Sequence, residues 1–161
     1  MFLKIKNIPK LSWSSNSPIN FRPSAKTLLY LCVGLIFFGF GEGLLIVSGV
    51  GASPWNILHQ GLAINLGLSV GTIAFLVSFL VLLLWYFLDL KIGVGTIFNF
   101  IILAIMIDVT IYFVDKPNEF FFQLLMVIAG ILIIGFGTAT YLIANLGAGP
   151  RDGLMTGLQK K

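Results

Sequence analysis

Two carboxylic acids stand in places where an acid is expensive. Glu42 lies close to the middle of the apolar run 28–50, and Asp108 lies six residues before the end of the run 92–114. An ionised acid at the centre of a membrane helix costs about 2.5 to 3.5 kcal/mol on insertion scales. The fourteen Leu, Ile, Phe and Val residues of 28–50 offset this with roughly 4 to 8 kcal/mol on the same scale, so the run still inserts. Glu42 reads either as a protonated acid hydrogen-bonded between helices or as a site for a proton or cation. Asp108 is deep enough to need a partner or a polar cavity. Asn99 precedes it by nine residues, two and a half helical turns, which puts the two about 180° apart and on different faces.

Two further clusters complete the candidate substrate- or ion-binding set. Asn56 and His59 share a helical face with Gln60 within 54–66, with Trp55, Leu58 and Leu62 elsewhere. Arg151 and Asp152 follow Gly149-Pro150 at the start of a short helix. Asp152 suits the positive end of that helix and Arg151 opposes it, so Arg151 needs another reason to be there. It is either an orientation charge paired locally with Asp152, or part of a site in which it and the free N–H groups hold an anionic substrate group, with Trp55 closing the opposite entrance by packing.

Other chemistries are not written in the chain. Cys32 is the single cysteine and His59 the single histidine, so neither an internal disulfide nor a clustered Cys/His metal site is expected. No nucleophile and base stand at useful spacing, so no catalytic residues, no cofactor and no enzymatic activity are expected. Gly39, Gly41, Gly43, Gly135 and Gly137 fall inside apolar runs, where small residues let helices approach, and are not a nucleotide loop.

The elements that position these residues follow from composition. Of 161 residues 58% are apolar and 10% charged, against roughly 45–50% and about 25% in a soluble domain. Four continuous apolar runs, 28–50, 68–88, 92–114 and 120–146, each reach the roughly 20 residues of a membrane span. They do not alternate as barrel strands would, so the fold class is all-α, a polytopic helical membrane protein. Segment 54–66 is too short to cross and is either a re-entrant half-helix or an interfacial amphipathic one. The lipid bilayer is therefore the first partner. The basic residues sit at the ends of spans instead of forming a stripe, which argues against nucleic acid. With the basic arm 1–27 inside, nine of ten Lys and Arg are cytoplasmic, Lys116 excepted, so a cytoplasmic N-terminus is expected.

A shift of 96 residues superposes 28–62 on 124–158 without a gap, with twelve of 35 positions identical. The matches include Gly34 with Gly130, Gly39-Phe40-Gly41 with Gly135-Phe136-Gly137, and the helix-breaking residues Gly51 and Pro54 with Gly147 and Pro150. Three crossings separate the copies, so the expected architecture is an inverted repeat: a first unit 28–119, and a second, 120–161, that is incomplete after its motif 147–158. A complete second unit implies a chain of roughly 215 to 220 residues.

At these motifs the sequence resembles the YczE/YyaS/YitT family of bacterial membrane proteins, in particular its YczE-like branch. The likeness is carried by Gly51-Ala-Ser-Pro-Trp-Asn56, Leu58-His-Gln-Gly-Leu62, Gly67-Leu-Ser-Val-Gly-Thr72, Gly93-Val-Gly-Thr-Ile-Phe-Asn99 with Asp108, and 146–158. It implies a multi-pass protein of the bacterial plasma membrane and says little about chemistry. Paired Gly/Pro-interrupted segments in inverted halves point to a secondary transporter or permease of a small solute or ion. The alternative is a membrane scaffold or assembly partner, including a homo-oligomer, in which the glycines pack helices and Glu42 selects a neighbour.

Overall fold

The computed structural model describes residues 10–160, side chains through 159; Lys4, Lys6 and Lys161 of the basic ends lie outside them. The described residues form six α-helices and no strand: α1 (Ala25–Ser48), α2 (Pro54–Leu66), α3 (Val70–Trp85, continued by a 3-10 turn Tyr86–Leu88), α4 (Val94–Phe113), α5 (Phe120–Ala144) and α6 (Pro150–Lys160). Four are long and apolar enough to cross a membrane: Ala25–Ser48, Val70–Leu88, Val94–Phe113 and Phe120–Ala144.

The helix ends depart from the apolar runs by up to three residues because capping groups, not hydropathy, set them. Ser24, Ser53 and Ser69 each turn a side-chain oxygen back onto an N–H of the first turn of α1, α2 and α3. Pro54 and Pro150 occupy first helical positions, where no N–H is missed. At the other ends Gly49 (φ 72°), Gly67 (φ 67°) and Asn145 (φ 53°) take the left-handed conformation that stops α1, α2 and α5.

Helices α1 and α5 run antiparallel in close contact through glycine. A Cβ on Gly34 would lie 2.9 Å from the carbonyl oxygen of Gly137, and one on Gly41 would lie 2.8 Å from that of Gly130. On its other face α1 runs alongside α4, with Gly39 against Leu103 and Gly43 against Thr110. Small residues at both seams replace the hydrophobic drive that lipid cannot supply. Gly135 does not take part: a Cβ there would meet nothing within 4 Å. It differs from the packing role expected of it because it faces the side of α5 that no described helix covers.

Two buried clusters hold the bundle: Leu31 and Leu35 of α1 with Tyr141, Ala144 and Leu146, and Ala74 of α3 with Leu103 and Ile107 of α4. The arm before α1 folds against the same end. Ser15 N donates to the Ala144 carbonyl (3.0 Å), Asn145 Nδ2 donates to the Ser15 carbonyl (2.8 Å), and Trp13 stacks on Tyr30.

Candidate functional site

The short helices place polar side chains inside the bundle. After α5 the chain turns back: Gly95 N donates to the Leu146 carbonyl (2.8 Å), Thr96 Oγ1 donates to the Ala148 carbonyl (2.8 Å), and Gly149 abuts the Asn99 amide. The connection 145–149 thus lies along the first turns of α4. From Pro150, whose carbonyl accepts from Trp85 Nε1 (3.0 Å), α6 runs past Trp85 and then Leu88 and Leu90. Its N-terminus faces the interior, and its C-terminus leaves along the end of α3.

α2 also starts in the interior. Its cap residue Ser53 donates through Oγ to Glu42 Oε2 (3.4 Å), and Asn56 Nδ2 donates to the Glu42 carbonyl (3.4 Å). The buried face of α2 is Asn56, His59 and Ala63, whereas Ile57, Ile64 and Leu66 are more than 60% exposed. This amphipathic pattern is inside out for a helix lying on a soluble protein, since its polar side chains point into the bundle.

Between the two N-termini lies a charge cluster. Arg151 Nη1 stands 3.5 Å from Glu42 Oε1 with both side chains buried, and the guanidinium carbon sits 5.5 Å from the centre of the Trp55 ring. The local pairing of Arg151 with Asp152 is therefore corrected: Asp152 instead accepts a hydrogen bond from the Tyr141 hydroxyl, leaving Arg151 to turn toward Glu42. Burial lowers the Arg151 pKa, while Glu42, and after it Asp152 and Tyr141, favour its charge. The Trp55 ring lies 6.3 Å from that of His59. Burial, with the charge of Arg151 second, pushes His59 down to about 4, so at neutral pH the ring offers one N–H donor and one acceptor.

Asn56 Oδ1, both His59 ring nitrogens, Asn99 Nδ2 and Arg151 Nη2 are buried with no hydrogen-bond partner among the described residues. Buried polar atoms are normally paired, and several unpaired ones near one ion pair point to a missing ligand or water. Among the described residues no group of three or more His, Cys, Asp or Glu could hold a metal ion.

Of the six candidate residues, Glu42, Asn56, His59 and Arg151 come together, and Asp152 borders them through Tyr141. Asp108 stands apart. Its Oδ2 accepts from Ser69 Oγ (2.6 Å) and its Oδ1 from Gly71 N (2.7 Å), so it anchors the start of α3. Gly51 and Gly147 lie in the connections just before α2 and α6, and Gly147 takes φ 110°. Trp55, Asn99 and Tyr141 enter the surroundings of the site as well. The signal for Trp55 was its register with Arg151 in the 96-residue repeat, whereas nothing in the spacing pointed to Tyr141.

A family model described as a family of unknown function, DUF6198, matches residues 25–161. An uncharacterized protein of Haemophilus influenzae is 41% identical over 155 residues, covering 96% of this chain and 70% of its own length. The uncharacterized membrane protein YczE of Bacillus subtilis is 30% identical over 130 residues, covering 80% of this chain and 60% of YczE. YyaS of the same organism, also uncharacterized, is 34% identical over 131 residues, 78% of this chain and 65% of YyaS. No solved structure matches the chain.

Proposed function

The chain belongs to the DUF6198 family, a membrane protein among relatives of unknown function, and we propose that it works as a secondary transporter or permease of a small solute or ion. One observation carries this reading. Trp55 and Arg151, which occupy the same position in the two copies of the repeat, touch each other, and Arg151 is paired with Glu42. Residues at equivalent positions meet only near an axis that exchanges the copies.

The glycine seam supports the same axis. The 96-residue shift carries Gly34 onto Gly130 and Gly41 onto Gly137, so the contacts Gly34–Gly137 and Gly41–Gly130 are images of one another. This favours an inverted repeat, entered from a cytoplasmic N-terminus in the bacterial plasma membrane, with α2 and α6 as re-entrant half-helices. Such half-helices aim their N-termini at a mid-membrane site around which the units rock. A cleft of about 470 Å³, lined by Leu45, Ile46, Gly51, Ile57 and Gln60, leads toward α2 from one side.

The test is flux in reconstituted vesicles, screened with labelled carboxylates, inorganic anions, amines and neutral solutes. Arg151→Gln should abolish whatever flux the wild-type chain supports while the protein remains monodisperse. Absence of any solute flux from a folded wild-type chain would sink the proposal. A specific observation favours a second reading, a membrane scaffold: a Cβ at Gly135 of α5 would meet no described residue within 4 Å, which leaves room for a further helix. That reading predicts a stable membrane complex lost on Gly135→Leu, with no flux.

A further inference from the structure

We propose that the solute is a small monovalent carboxylate carried together with one proton, Arg151 exchanging Glu42 for the substrate. This rests on the transporter reading above and narrows it.

The starting contact is loose. Arg151 touches Glu42 through Nη1 alone at 3.5 Å, whereas a well-made charge-assisted bond is about 2.7 to 2.9 Å and an arginine fork makes two. Nη2 is buried and unpartnered. Among the described residues the other carboxylate oxygen of Glu42 holds only the Ser53 hydroxyl, at 3.4 Å. Neither charge is locked onto the other, and the guanidinium retains a free donor.

The surroundings select a negative ligand. The N-termini of α2 and α6 flank the pair with the partial positive charge of their helix dipoles. Asn99 Nδ2, beside Gly149 where the chain enters α6, is a second unpartnered donor. The ion-pair partner of Arg151 among the described residues is a carboxylate, so a carboxylate ligand meets the shape and charge it already accepts.

Charge balance then requires a proton. When a ligand carboxylate takes Arg151, the Glu42 charge is left buried without a partner, a state that is strongly unfavourable. Among the described residues no other cation is paired with it. His59 in α2 is neutral, Asp152 in α6 is acidic and bonded to Tyr141 of α5, and Asp108 in α4 is acidic and bonded to Ser69 and Gly71 of α3. Glu42 therefore accepts one proton as the anion binds and returns it as the anion leaves. One anion and one proton cross together, without net charge. A dianion would leave one negative charge uncompensated, which restricts the class to monovalent species.

The test is calorimetric titration of the full chain in detergent with lactate, pyruvate and acetate, and with lactamide as the neutral control. Buffers of different ionisation heat count the protons taken up. The expected result is about one proton bound per carboxylate, an affinity rising toward tenfold per unit fall in pH, and no binding of lactamide. Glu42→Gln should bind at least tenfold tighter at pH 8, take up no proton and lose the pH dependence. The wild-type proton count decides the matter even if that variant does not fold. Binding of none of the carboxylates, binding without proton uptake, or equal binding of lactamide overturns the inference. Vesicle flux of an amine or neutral solute alongside such a result would leave the transporter reading standing; absence of all flux would remove both.

Discussion

Arg151 and Glu42, 109 residues apart in the chain, meet with 3.5 Å between Nη1 and Oε1 in a part of the bundle closed to solvent. A buried pair of this kind is worth little against an apolar replacement, but each partner is costly without the other. Arg151→Met or Glu42→Gln alone should therefore destabilise the protein by about 3 kcal/mol, and the double variant by clearly less than the sum. Reversible unfolding in mixed micelles measures this. Additive losses would mean that the two groups do not interact.

The α1–α5 seam makes an opposite pair of forecasts for glycines of one helix. A Cβ on Gly137 would lie 2.5 Å from Phe38 N, so Gly137→Val should cost about 1 to 3 kcal/mol through overpacking. Gly135→Ala, with open space around it, should stay within about 0.5 kcal/mol of the parent. Comparing thermal midpoints in one detergent is sufficient, and equal effects at the two positions would refute the seam.

Asp108 was a candidate binding residue and is here an anchor for α3. Asp108→Ala removes the acceptor of Ser69 Oγ and Gly71 N and should cost about 1 to 2 kcal/mol. Flux per folded molecule should not change. A variant of normal stability with lost flux would return Asp108 to the transport site.

Orientation is tested by chemical labelling. With Cys32→Ser as background, Asn118→Cys in the exposed turn before α5 should react with an impermeant thiol reagent in intact cells, and Asn16→Cys in the arm should not. The reverse pattern would invert the cytoplasmic assignment of the N-terminus.

Much of the fold was legible because its signals are local. Ser53-Pro54 and Gly67 bracket α2 as cap, first residue and stop, and the expected 54–66 is the helix observed. The site was legible in its residues but not in its pairings. Spacing puts Asn56 and His59 on one face of α2, yet only packing decides that this face turns inward and that Ile64 faces out. Likewise nothing in the residues around Arg151 says that the chain after α5 turns back along α4 and carries the guanidinium to Glu42. That depends on contacts of Leu146 and Ala148 with Gly95 and Thr96, which no periodicity encodes. The hydrogen bonds of Asp108 were illegible for a related reason: an acid in an apolar run looks the same whether it awaits a ligand or caps a neighbouring helix.

The distance along the chain between Glu42 and Arg151 is also an interval of time. At about 5 to 20 residues per second of synthesis, on the order of ten seconds separate the making of the carboxylate from the making of its guanidinium. Throughout that interval α1 has no Arg151 to receive Glu42, and the glycine seam with α5 is itself unfinished. The nascent protein therefore waits with Glu42 unanswered, and the emergence of α6 ends that wait. Any interruption of translation before Pro150 leaves Glu42 without its guanidinium, a mark of incompleteness carried by the first long helix.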